Sequence, residues 1–252
     1  MKRLAPLAIL LLFATTGICI QLLPSQVIWL FSLATVLCVL LLLWLTWSRK
    51  ISWQERLALT LFAALLFTTG LSFFVFLEQQ VFIYGTIVVV AIILALYTEN
   101  VYRYLYSESS YQVSAITNIA SYMAILILFF GAVTLFDLRV FFALSLYVFS
   151  IASCLLSVLL AYSLFSLSRI PSRQNVQMTS IFALIYLELM LATTIWPIIP
   201  LSKGIVTMAI SYASIQALLL SQSEKIIRSK IMITILFTSA ICFLALVTAQ
   251  WR

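Results

Sequence analysis

The chain has 252 residues, of which 65% are hydrophobic and only 8% charged. A soluble domain carries about a quarter of its residues charged, so a water-soluble reading is excluded. The formal net charge of +7 is not a nucleic-acid signal, because the basic residues stand in ones to threes between apolar runs and build no continuous face for a phosphate backbone.

The amino end, MKRLAPLAILLLFATTGICI, has the basic start and apolar run of a secretory signal. No A-x-A-like cleavage site follows, and a second apolar run begins directly after LLPSQ, which favours a retained helix. A span needs about 20 apolar residues to cross the hydrocarbon. On that measure the chain reads as nine spans, at 4–23, 26–47, 57–77, 81–98, 116–136, 140–168, 178–198, 204–222 and 231–249, with eight or ten as the neighbouring counts. Nothing alternates like a barrel strand, and backbone groups in lipid must pair within their own segment, so each span is expected to be a helix. The joints LLPSQ, LEQQ, FDLR and IIPLSK are short; SRKISWQER, the stretch Tyr97–Tyr111, RIPSRQNVQ and SQSEKIIRSK are longer and more polar. The expected fold class is all-α: one polytopic membrane helix bundle over 1–252, with no soluble domain.

Basic residues set the expected orientation. With the amino terminus inside, Lys2, Arg3, Arg49, Lys50, Arg56, Arg103, Arg169, Arg173, Lys225, Arg228 and Lys230 fall inside, and only Arg139, Lys203 and Arg252 outside. The positive-inside rule then gives a cytoplasmic amino terminus and, with nine spans, an external carboxyl terminus. Short loops and the absence of an N-x-S/T sequon point to a bacterial inner membrane. The strings FLEQQVF and LFDLRVF resemble each other around two outward turns. Such likeness fits either the ordinary look of a short hairpin or the remains of a two-helix repeat.

The least greasy stretch is YTENVYRYLYSESSY, Tyr97–Tyr111, with five tyrosines, two glutamates and one arginine. Tyrosine rings favour the headgroup region, and Glu99 four residues before Arg103 is the favoured order for a helical ion pair. The fourth helix is therefore expected to continue to about Leu105 or Tyr106, with SESS ending it and Ser114 or a neighbour capping the next. An aromatic belt explains the first tyrosines but not Tyr111. The alternative is a cytoplasmic docking surface of Tyr102, Arg103, Tyr104, Tyr106 and Tyr111, since tyrosine and arginine are favoured at interface hot spots.

Residues able to carry chemistry are scarce. The chain has no histidine, Asp137 is its only aspartate, and it has five glycines. That removes paired-aspartate metal sites, H-E-x-x-H zinc sites, serine–histidine–aspartate triads and glycine-rich phosphate loops. Cys19, Cys38, Cys154 and Cys242 share no short spacing and read as small buried thiols. No enzyme, metal or cofactor is expected. Glu188, in IYLELMLATTIWP, falls at the middle of the seventh span. An acid at that depth is costly and is a functional candidate. It is either a polar rivet, bonded to Tyr212 or Gln216 on one face of the eighth span, or a proton or cation site between the two spans. Ser150, Ser153, Ser157 and Ala161, and likewise Gly204, Thr207, Ser211 and Ser214, read as small-residue stripes for close helix packing. Trp196-Pro197 predicts a bend near the end of the seventh span. Two functions follow: a non-enzymatic membrane component partnered by lipid and by another membrane protein or a second copy, or a small-solute or proton/cation-coupled transporter using Glu188.

Overall fold

Backbone amides surrounded by apolar side chains find partners only inside a helix, and the backbone follows that rule. The computed structural model describes residues 4–22, 27–46, 51–106, 113–221 and 228–248. Among them run α1 Ala5–Leu22, α2 Val27–Thr46, α3 Trp53–Phe74, α4 Gln80–Tyr106, α5 Val113–Phe141, α6 Leu146–Leu167, α7 Ser172–Thr194, α8 Pro200–Ser221 and α9 Arg228–Val247. Six of these, α3 to α8, are long and apolar enough to cross a membrane. Shorter apolar helical stretches lie at Ala5–Ile20, Leu33–Leu42 and Met232–Ala245. The fold is that of a helical membrane protein.

Helix ends follow local chemistry more closely than hydropathy. α3 starts at Trp53, four residues before its apolar run, because Ser52 caps it: the Glu55 backbone N–H donates to Ser52 Oγ at 3.2 Å. Ser52-Trp53-Gln54-Glu55 is a capping-box sequence. α4 continues to Tyr106. α5 begins at Val113, so Ser114 lies inside its first turn rather than ahead of it.

The turn expected at FDLR is instead helical. α5 runs through Asp137 and Arg139 to Phe141, and the chain reverses at residues 142–145, where Ala143 takes a positive φ of 47°. Charge alone does not end a helix; a left-handed residue does. Ser145 then opens α6, accepting the Val148 N–H on its Oγ at 3.3 Å. FLEQQVF and LFDLRVF consequently differ in conformation, the first spanning a turn and the second lying wholly within α5. α7 ends at Thr194, so Pro197 lies in the connection to α8 and bends no helix. The residue before a proline is driven out of the helical region, and Pro200 then opens α8, where its missing N–H costs nothing.

The chain divides into two compact units: residues 1–123 with 166–169, and residues 124–165 with 170–252. In the first, α1 packs against α2 and α4, and α3 against α2 and α4. Phe13 of α1 fills the centre, edge-on to Phe67 at 5.1 Å and to Phe74 at 5.7 Å. Gly17 lets α1 approach α4, since a Cβ there would stand 2.8 Å from Ile87 Cδ1. In the second unit α8 packs against α7 and α9. Gly204 of α8 sits directly against Val133 of α5, leaving no space for a Cβ.

Candidate functional site

The tyrosine-rich end of α4 lies in the first unit, and its hydroxyls point inward to neighbouring helices. Tyr97 is fully buried and donates to the Leu59 carbonyl of α3 at 2.9 Å. Tyr106 donates to the Leu45 carbonyl of α2 at 3.2 Å, and its ring lies 5.1 Å from that of Tyr102. Tyr104 joins three elements: it donates to Glu55 Oε1 at 3.1 Å and accepts from Arg169 Nη2 at 3.4 Å. Arg103 pairs with Glu99 one turn back at 2.9 Å, with both side chains well exposed, so that pair adds only a few tenths of a kcal/mol. Tyr111 lies outside the described residues.

Arg169 reaches Tyr104 because of how α6 ends. The Ile170 N–H donates to the Phe165 carbonyl and the Arg169 N–H to the Ser166 carbonyl, while Arg169 has φ 57°. This is a Schellman termination with arginine where glycine is usual. The cation at a helix carboxyl end is favoured by the backbone dipole. The hydrogen bond with Tyr104, and behind it the Glu55 carboxylate, holds the Arg169 pKa above its ordinary value against the opposing effect of burial. Glu55 and Arg169 are the members of this cluster that sequence reading missed. The S-x-x-E pattern at Ser52–Glu55 was a usable signal for the first; nothing local signals the second.

Glu188 belongs to the second unit and is exposed. It lies six residues, about 9 Å, before the end of α7 rather than at the helix centre. Tyr212 and Gln216 are half-buried on α8, and Glu188 forms no hydrogen bond or ion pair with either. Instead it shares an exposed face with Ile181, Leu184, Ala192 and Ile195, spaced by one or two helical turns. A carboxyl thus interrupts an outward apolar stripe.

The buried polar groups of this unit are different residues. Most buried serines and threonines bond to a carbonyl of their own helix, as Ser153, Ser163 and Thr193 do at 2.7–2.8 Å. Thr134 Oγ1, Tyr186 Oη, Thr207 Oγ1 and Ser211 Oγ are buried without a hydrogen-bond partner among the described residues. Tyr186 lies on α7 and Thr207 and Ser211 on α8, two helices that pack together. Among the described residues, no group of three or more Cys, Asp or Glu side chains could hold a metal ion. No family model, curated protein or solved structure matches this chain.

Proposed function

We propose that the chain is a multi-pass inner-membrane protein of nine spans, amino terminus cytoplasmic and carboxyl terminus external, that works as a non-enzymatic partner subunit. The observation that carries this reading is Glu188, exposed within the apolar stripe Ile181–Leu184–Ala192–Ile195 and without a hydrogen-bond or ion-pair partner among the described residues. A charged group facing lipid costs up to roughly 2.5–3.5 kcal/mol, the figure for the bilayer centre, and less nearer a helix end. A neighbouring helix that supplies a donor removes much of that cost. The sequence places no lysine or arginine at comparable depth in its own spans, so a second copy brings no counter-charge. The partner is therefore a different membrane protein, with a basic side chain inside one of its spans.

The test is purification of the full-length protein from its native membrane in mild detergent. A stoichiometric second membrane protein with such a residue is the expected result, lost in Glu188→Leu and partly retained in Glu188→Gln. A wild-type protein that purifies alone or as a homo-oligomer, unaffected by Glu188→Leu, removes the reading. A second reading is favoured by the unpaired hydroxyls of Thr134, Tyr186, Thr207 and Ser211: passage of a small neutral solute through the second unit. Solute flux into liposomes, abolished by Tyr186→Phe together with Ser211→Ala, supports it; absence of flux for every small polyol tried removes it.

A further inference from the structure

Two cations meet in the second unit where α5 ends and α8 begins. Arg139 is in the last turn of α5 and Lys203 in the first turn of α8. The Arg139 guanidinium carbon stands 5.3 Å from the Phe149 ring centroid, and Lys203 Nζ stands 5.7 Å from that of Phe136. The two rings are themselves 5.7 Å apart, so both positive groups lie over one aromatic pair. Lys203 donates one hydrogen bond, to the Thr194 carbonyl at 3.2 Å. Arg139 Nη1 is buried and donates to no group among the described residues.

No carboxylate among the described residues balances these charges. Neither cation forms an ion pair among the described residues, and Asp137, two positions before Arg139, points to a different face of the helix. The ring faces offer negative potential but no hydrogen-bond acceptor. Lys203 also stands at the positive end of the α8 dipole, where a cation is disfavoured. Like charges held together over a shared floor, with a buried guanidinium N–H to spare, call for an anion. The depth suits one: the apolar part of α5, Ala115–Phe141, has 27 residues, about 40 Å of helix against roughly 30 Å of hydrocarbon, so its end reaches headgroup level.

We propose that Arg139 and Lys203 together hold one phosphate group. Arginine offers paired N–H donors that match two phosphate oxygens, and lysine adds a point charge from α8. Phe136 and Phe149 form the floor that keeps both cations in place. A phospholipid headgroup and a free phosphate ion present the same chemistry.

The experiment measures protection of the full-length protein against thermal unfolding in a non-ionic detergent. Three additions are compared: dihexanoyl phosphatidylglycerol, sodium phosphate, and sodium chloride at matched ionic strength. Protection by the lipid alone assigns the site to a headgroup; protection by phosphate also assigns it to a soluble anion. In either case Arg139→Gln and Lys203→Gln should each raise the half-protecting concentration at least tenfold. Arg139→Lys, which keeps charge but not the fork, should raise it less, and Arg173→Gln at the far end of α7 should leave it unchanged. If Arg139→Gln does not fold, Lys203→Gln carries the comparison. Protection by neither phosphate compound, or equal protection of wild type and the foldable variants, overturns the proposal.

Discussion

Tyr104→Phe keeps the ring and removes one oxygen, and with it the link between Glu55 and Arg169. Hydrogen bonds to charged groups contribute about 1.5–3 kcal/mol when shielded from water. Here Arg169 is exposed, Glu55 and Tyr104 are half-buried, and the Arg169 bond is long at 3.4 Å. Solvent screening brings the expected loss down to about 1 kcal/mol. For a chain of this size that is about 2–4 °C in Tm. The decisive form is a double-mutant cycle of Tyr104→Phe with Glu55→Ala, read by thermal unfolding of the full-length protein in detergent. Glu55→Ala also loses the 3.4 Å contact from Ser52 Oγ, but the cycle subtracts that loss. A coupling of about 1 kcal/mol is expected. Losses that add to within about 0.3 kcal/mol would mean the cluster carries no shared energy. Arginine stays charged far above physiological pH, and the Arg169 pKa is raised further. Its contribution is present below that range and lost only as pH climbs through the raised value, so titrating Arg169 should not alter the coupling between pH 6 and 9.

Tyr97→Phe should cost only about 0.6 kcal/mol, the mean for intramembrane hydrogen bonds, whereas Tyr97→Ala should cost about 3–5 kcal/mol through the cavity left beside Phe62; equal losses would contradict that burial. Gly204→Ala should destabilise by about 1–3 kcal/mol because its Cβ would enter the space of Val133, while Gly85→Ala, with nothing within 4 Å, should be neutral or mildly stabilising; unfolding midpoints in detergent compare the two. In a Tyr104→Phe background Arg169→Gly should stabilise by about 1 kcal/mol, because the positive φ of 57° suits glycine and no hydrogen bond remains to be lost. Reporter fusions after Arg56 and Lys230 should read as cytoplasmic and one at the carboxyl terminus as external; both ends on one side would change the span count by one.

Hydropathy was enough to find the helices, because an apolar run in lipid has only one backbone solution. Where helices stop was less legible. α3 begins early because Ser52 caps it, and α5 runs on past Asp137 and Arg139 because nothing there forces a left-handed residue before Ala143. The length of α4 was readable from the Glu99–Arg103 spacing, and that ion pair forms. What the tyrosines bond to was not readable: Leu59, Leu45 and Glu55 are distant in sequence, and Arg169 reaches Tyr104 only through the reversal that ends α6. The direction Glu188 faces was equally hidden, because ending α7 at Thr194 leaves the helix rotation to packing. Tyr186, not Glu188, is among the buried side chains of that helix, while Glu188 is exposed.

Photo-crosslinking from the exposed face of α7 tests the partner reading most directly. A benzophenone side chain replacing Leu184 or Ala192, on either side of Glu188, should capture in the native membrane one discrete protein with a basic residue inside an apolar span. The same group at Val89, on the exposed face of α4, should capture only lipid. Glu188→Leu should abolish the protein adduct. Lipid capture alone from both α7 positions, or an adduct indifferent to Glu188→Leu, would contradict the account.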